Sequence, residues 1–446
     1  MRWDLNSVAA ATGGAARGTA VVDRVVTDSR DAGPGALFVA VRGDRLDGHD
    51  FAAEAVESGG SPLVERGRLP EGAAGVEVED TLDALARLGA KRRDELSVPV
   101  VAITGSSGKT TTKDMTAAAL GPGTHAAPRS FNNEVGVPLT VLGTPDDATG
   151  LVVEVGSRGA GHIAALADVI RPDVAVITNI GPAHLEMFGD VAAVLEAKWE
   201  LIESLSESGV AVLPAADERL TSRRRGPMST FGDEESGADV MVSDVSIDNR
   251  GRASFRLEHR GTARSMTLRQ AGLHQPFNAA AAVAAALALG RDFTDASDRV
   301  AAAEVSPWRM EVYEVSIDGG TVVVVNDAYN ANPDSMEAAF ETVAAMPGRR
   351  IAVLGKMHEL GPSEADLHRA VGSRAAVAGF DRVLVVGDDP GLAEGVGAAA
   401  ESLPDAAAAG RRLAAILRPG DVVLVKASRA AGLEQVAQQI GGGAAA

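Results

Sequence analysis

An apolar run, Val98 to Ile103, leads directly into Thr104-Gly105-Ser106-Ser107-Gly108-Lys109-Thr110 and then a helical stretch, Thr110 to Leu120. A strand that turns through glycines into a helix is the setting of a phosphate loop. It commits this part of the chain to a strand–loop–helix unit with its ligand at the carboxyl end of the strand. Glycines let the backbone wrap a phosphate, and the helix N-terminus adds unpaired N–H groups and positive potential. Lys109 has the reach for the β- and γ-phosphates, and the Thr110 hydroxyl suits Mg²⁺. The plainer reading is a Gly/Ser turn with a solvated lysine. The intact Gly-Lys-Thr-Thr ending and its setting favour the phosphate loop, although Ile103 stands where the usual loop begins with glycine.

The rest of the chain continues the pattern. Leu151–155, 174–177 and 210–213 are apolar runs separated by helical stretches, which implies a mainly parallel α/β sheet. Past Pro307-Trp308-Arg309, runs at 321–325, 351–354, 383–386 and 422–425 imply a second doubly wound unit. Before residue 97, Val25-Val26-Thr27-Asp28-Ser29-Arg30, Gly33-Pro34-Gly35 and Leu37 to Val41 read as strand, turn, strand. Residues 223–236 are polar and charged and read as a loop. The expected architecture is α/β in three domains. These are a small mixed N-terminal domain (1–96), a central parallel ATPase domain of phosphate-loop type (97–307) and a C-terminal Rossmann-like domain (308–446).

Charge narrows the partners. A net charge of −19 over 446 residues leaves no basic footprint for nucleic acid. An anion site must therefore gather its few cations locally. The absence of cysteine excludes disulfides and thiolate metal sites. The longest apolar run, Ala279 to Leu289, is too short to span a bilayer, and the first residues lack the apolar stretch of a signal peptide. A cytoplasmic protein without membrane insertion is expected.

Several residues carry chemistry if the fold brings them together. Glu154 ends an apolar strand, and His184 lies in Thr178-Asn179-Ile180-Gly181-Pro182-Ala183-His184-Leu185-Glu186 after another. Singly, each is an ordinary strand-end residue; with Thr110 they form a candidate Mg²⁺ set. Lys198, in Glu196-Ala197-Lys198-Trp199-Glu200, reads by itself as a surface lysine in weak ion pairs. Asn132 and Asn133, in Phe131 to Pro138, sit in what alone is an ordinary loop. Ser29 and Arg30 read by themselves as a strand-end turn with surface charges. Asn326-Asp327-Ala328-Tyr329-Asn330-Ala331-Asn332-Pro333 reads as a strand and then an Asn-Pro turn capping a helix.

Taken together and in this order, these motifs resemble those of the Mur ligase family, which also includes folylpolyglutamate synthases. The resemblance implies an ATP-dependent amide ligase that uses two Mg²⁺ ions. It assigns the nucleotide to Gly105, Ser106, Ser107, Gly108, Lys109, Thr110, Thr111, Asn278, Arg309 and Asn330. Metal falls to Thr110, Glu154, His184 and a carbamylated Lys198, which with Lys109 form the catalytic set. Ser29, Arg30, Asn132, Asn133, Asp327, Tyr329 and Asn332 fall to the substrates. By the same resemblance, Tyr329 to Pro333 points to D-Ala-D-Ala as the group joined to UDP-MurNAc-tripeptide; the family chemistry runs through an acyl phosphate, and a monomer is expected. Another Mur ligase, a folylpolyglutamate synthase-like ligase or an inactive nucleotide-binding relative are the alternatives. Tyr329 to Pro333 opposes the first two, and intact Lys109, Glu154, His184 and Lys198 oppose the third. Trp199, Pro214, Lys356 and Ala427 depart from the family's usual residues.

Overall fold

The structure, a computed structural model, describes residues 1–440 except 44, 45, 183, 184 and 305. It contains three main sheets, each followed by or wrapped in helices. The α/β fold expected from the sequence is present throughout.

The first sheet has five strands in the order Ala15–Arg17, Gly75–Val78, Ser61–Glu65, Ala36–Val39, Arg24–Val26. All neighbours are parallel except the first pair. Leu85 and Leu88 of the helix Thr81–Glu95 share an apolar cluster with Leu142 of the helix Gly136–Leu142, so this sheet's core runs on into the next unit.

The central sheet has nine strands. The phosphate-loop strand Val100–Thr104 lies between Gly150–Glu154 and Val174–Ile177, parallel to both. The chain departs from Val100–Thr104 first to one side and later to the other. Thr104, Glu154 and Ile177 therefore end side by side at the switch in strand order, where an open α/β sheet makes its crevice. Val101, Ile103, Val152 and Val176 face one core and Val100, Ala102, Val153 and Ala175 the opposite one. Burial on both faces explains why these strands read as unbroken apolar runs.

The helix Gln275–Ala288 has eight successive residues, Ala279 to Ala286, with no exposed surface. Seven of those eight are alanine. Short side chains let it lie close against the phosphate-loop helix Lys109–Leu120. The abundance of alanine is thus used to bring Asn278 up to the loop.

Residues 223–236 are not simply a loop. Met228–Asp233 is a parallel strand between Val210–Pro214 and Val240–Ile247. Backbone pairing holds it, and Phe231 is its one large buried side chain, so no apolar run announces it. Beyond it, Arg252–His259 and Thr262–Ala271 extend the sheet antiparallel.

The third sheet has six strands, ordered Glu311–Ile317, Gly320–Asp327, Val422–Lys426, Arg350–Gly355, Arg382–Val386, Ala400–Leu403. Only the first pair is antiparallel. The carboxyl end of Gly320–Asp327 faces the phosphate loop across a cleft. Among the described residues no helix is long and apolar enough to cross a membrane.

Candidate active site

The phosphate loop is held from below by the strand-end segment beside it. Thr178 Oγ1 donates to Ser107 O at 2.6 Å, and Ser107 N donates to Asn179 Oδ1 at 2.9 Å. Ser106 Oγ exchanges hydrogen bonds with the backbone N and O of Gly181, both at 2.9 Å. Gly105 has φ +151°, and a Cβ there would fall 1.8 Å from Thr178 Oγ1. Gly108, at φ +79°, caps the helix, and its Cβ would meet Asn278 Oδ1 at 2.5 Å. Both positions need glycine for backbone and for space.

At the head of the helix, Thr110 Oγ1 lies 2.6 Å from Glu154 Oε2 and 2.9 Å from Ser130 Oγ. Asn132 Nδ2 donates to the other oxygen of Glu154 at 2.7 Å. Glu154 is buried, so its carboxylate is fixed and desolvated. Lys109 Nζ folds back on Gly105 O at 2.7 Å. Burial pushes its ammonium below the usual lysine range, with Arg309 adding to the effect and Glu154 opposing it. Asn133 Oδ1 accepts from Gly136 N at 2.8 Å and so shapes the next helix.

Lys198 is 2 % exposed on the helix Val191–Glu203, not a surface lysine. Burial, with a smaller push from Lys109, holds its amine well below the ordinary value. Among the described residues no hydrogen bond or ion pair engages its Nζ. The adjacent Trp199 is buried, with Arg223 stacked 4.8 Å from its ring centroid and paired to Glu196. His184 lies outside the described residues.

The third sheet closes the site from above. Asn332 Nδ2 reaches Ser107 Oγ at 3.1 Å, while Asn332 also caps the helix Pro333–Ala344 through Ser335 N. Arg309 donates to Ser130 Oγ at 2.8 Å and stacks 4.1 Å from the Tyr329 ring centroid. Asp327 accepts from Met310 N at 3.0 Å and from buried Lys426 at 2.5 Å, and Lys426 also donates to Asn330 O. The space enclosed is about 650 Å³, large enough for a nucleotide and part of a second substrate. Thr111, Asn278, Asn330, Asp327 and Tyr329 all line it, as do most of the loop residues.

Ser29 and Arg30 do not line this cavity. Ser29 donates to Glu54 at 3.2 Å, and Arg30 grips Asp28, whose carboxyl that bond holds down at about 2.

Sequence reasoning missed Ser130, His274 and the Lys113-Asp114 pair. Lys113 Nζ donates to Ala127 O and sits 2.9 Å from Asp114, while Asp114 accepts from Ser306 N and Oγ at 2.7 and 2.8 Å. One helix thus secures both the Ser130 loop and the linker carrying Arg309. A lysine and an aspartate inside a helix carry no signal of this in sequence. Lys356, by contrast, turns aside to Glu364 at 2.6 Å.

A phosphate loop and carboxylate at a sheet's switch point, closed over by a second α/β domain, define a nucleotide-dependent enzyme whose two substrates meet in an interdomain cleft. The chain belongs to the Mur ligase family. Its residues 21–93 match the Mur ligase family catalytic domain, 103–286 the Mur ligase middle domain and 308–429 the Mur ligase glutamate ligase domain. The UDP-N-acetylmuramoyl-tripeptide–D-alanyl-D-alanine ligase of Mycobacterium tuberculosis is 37% identical over 94% of this chain and 92% of its own. MurF from Acinetobacter baumannii superposes with a TM-score of 0.90 at 31% identity, covering 99% of both chains. MurF from Thermotoga maritima, solved in complex with ADP, gives 0.83 at 32% identity over 94% of this chain and 97% of that one.

Proposed function

We propose that this protein joins D-alanyl-D-alanine to UDP-MurNAc-tripeptide at the expense of ATP, giving ADP, phosphate and UDP-MurNAc-pentapeptide for peptidoglycan synthesis. The observation that carries this reading is the contact of Asn332, in the Tyr-Asn-Ala-Asn-Pro turn, with Ser107 of the phosphate loop. That contact brings the turn, which resembles that of the dipeptide-adding ligases, against the phosphate loop and supports its part in substrate choice. The working division is 1–96 for the UDP precursor, 97–307 for ATP, and 308–446 for the dipeptide and part of the nucleotide. We take the enzyme to act as a cytoplasmic monomer, without nucleic-acid partners.

The donor set fits Mg²⁺. Among the described residues no three carboxylate or histidine groups converge. Mg²⁺ commonly needs only one or two carboxylates, with hydroxyl, water and phosphate oxygens completing its shell. Thr110 and Glu154 offer that pair of oxygens, and His184 is the further ligand in this reading. Lys198 fits carbamylation because burial drives its amine toward the neutral form, which is the one that adds CO₂, and the anion made would lie near Lys109. Bound there, Mg²⁺ would neutralise phosphate charge.

The chain's own groups do the rest by position and charge. The loop N–H groups, Lys109 and Arg309 hold the triphosphate, with Asn278, Thr111 and Asn330 along its path. Asn132, Asn133, Asp327, Tyr329 and Asn332 surround the reacting substrates, and Ser29 and Arg30 take the UDP end. The tripeptide carboxylate oxygen attacks the γ-phosphorus and ADP leaves. The dipeptide amine then attacks the carbonyl carbon, loses its proton, and inorganic phosphate departs. Closure of the third sheet keeps water from the acyl phosphate.

The test is purified protein with ATP, Mg²⁺ and UDP-MurNAc-tripeptide, offered D-Ala-D-Ala, D-Ala, L-Ala, L-Glu or diaminopimelate. D-Ala-D-Ala should be ligated far better than any single amino acid. A preferred single amino acid would overturn the dipeptide assignment, and no ADP formation with any amine would overturn the ligase.

A further inference from the structure

The Arg429 guanidinium is held without an anion. Its carbon lies 5.1 Å from the Trp308 ring centroid and 5.5 Å from that of Tyr329, and among the described residues no carboxylate pairs with it. Many arginines in this acidic chain grip a carboxylate, among them Arg30, Arg223 and Arg349. Stacking on a ring orients a guanidinium while leaving its N–H edge open to a bidentate partner. The platform is built at a cost. Trp308 has φ +61° and Met310 φ +52°, a left-handed backbone that bulky residues rarely adopt. Strain of this kind persists where the surroundings enforce a particular side-chain placement.

Position gives the open edge a meaning. Tyr329 lines the reaction cavity, and the same ring carries Arg309 at 4.1 Å. Arg309 in turn bonds Ser130, which touches Thr110 at the head of the phosphate-loop helix. One aromatic ring therefore ties a guanidinium on the phosphate side to a second that has no anion of its own. A dipeptide separates its ammonium from its carboxylate by about 5–6 Å when extended, whereas a single amino acid spans only about 2.5 Å.

We propose that Arg429, braced by Trp308 and Tyr329, receives the terminal carboxylate of the incoming dipeptide and so measures its length against the acyl phosphate. Arg429 is a specificity-determining residue in this view, and the inference rests on the dipeptide-ligase reading above. A single amino acid with its amine at the acyl phosphate would leave its carboxylate short of Arg429.

The experiment compares D-Ala-D-Ala with D-alanyl-D-alaninamide, which lacks the terminal charge, in wild type and Arg429→Met. Wild type should favour the acid by about tenfold or more in kcat/KM, the scale of one charge-assisted bidentate contact. In Arg429→Met that preference should fall toward unity while KM for ATP stays as it was, which also shows that the variant is folded. Arg429→Lys keeps the charge but loses the fork, and should lie between the two. An undiminished acid preference in both variants overturns the inference and leaves the ligase reading intact. A wild type that does not use D-Ala-D-Ala at all overturns the reading itself, and this inference with it.

Discussion

Single side chains in the cleft have separable consequences. Lys109→Ala removes the ammonium that the proposed reading sets against the phosphates, together with its bond to Gly105 O, so a folded variant should form ADP at under about 1% of the wild-type rate. A circular-dichroism melt beside the ADP assay checks both halves. Lys198→Ala should be similarly inactive, because the anion expected there is gone, and added acetate or formate should restore part of the turnover. A variant as active as wild type would remove Lys198 from the metal site. His274 gives a pH prediction. Burial holds its imidazole down at about 4, and among the described residues its buried Nδ1 has no partner. The unfolded chain takes up that proton near the ordinary histidine value, so between about 6.5 and 4 it binds more protons than the folded form. Folding stability should fall as pH drops through that window, by at most about 1.4 kcal/mol per unit from this group. The slope should be shallower in His274→Gln, and chemical denaturation at pH 7, 6 and 5 reads the difference.

At the scale of elements, the two helices that meet at the phosphate loop depend on small residues. Ala281→Leu puts three extra carbons where Ala281 has no exposed surface, so it should destabilise the central domain by about 1–3 kcal/mol. A lowered denaturation midpoint measures this, and an unchanged one would show that the helix pair can spread. The same elements show what a sequence makes legible. Strands buried on both faces, such as Val100–Thr104 and Val422–Lys426, stand out as apolar runs, and the glycines beside Lys109 fix the loop's place. Glu154 follows, because the end of a central strand at the switch point is a crevice position. Met228–Asp233 stayed hidden because it joins the sheet mainly through its backbone. Arg252–His259 buries one face, Ala253, Phe255 and Leu257, and alternates with polar residues instead of forming a run. Lys113, Asp114 and Ser130 were illegible for a different reason. Their work is to hold distant segments, and only the folded chain shows which segments those are.

Across the whole molecule, the site exists only where the third sheet meets the central one, and Asn332, like Arg309, serves both sides. Its Oδ1 accepts from Ser335 N and starts the helix Pro333–Ala344, while its Nδ2 crosses to Ser107. These two duties respond differently to substitution. Asn332→Ala loses the cap, costing about 1 kcal/mol, and loses the bridge as well, so stability and turnover should both fall. Asn332→Asp keeps a side-chain oxygen that caps a helix as well as asparagine does. It replaces the bridging amide with an anion beside a loop built to receive phosphate, where like charge is disfavoured. Asn332→Asp should therefore unfold at the wild-type denaturant midpoint yet bind ATP more weakly and lose at least about tenfold in kcat/KM. The paired measurement is a denaturant melt and an ATP titration on the same two variants. If Asn332→Asp binds ATP as tightly as wild type, the Ser107 contact belongs to the resting arrangement of the domains and is broken when nucleotide enters. If it binds weakly while remaining fully stable, the bridge marks the position of the phosphates, and closing the cleft and binding ATP are one event.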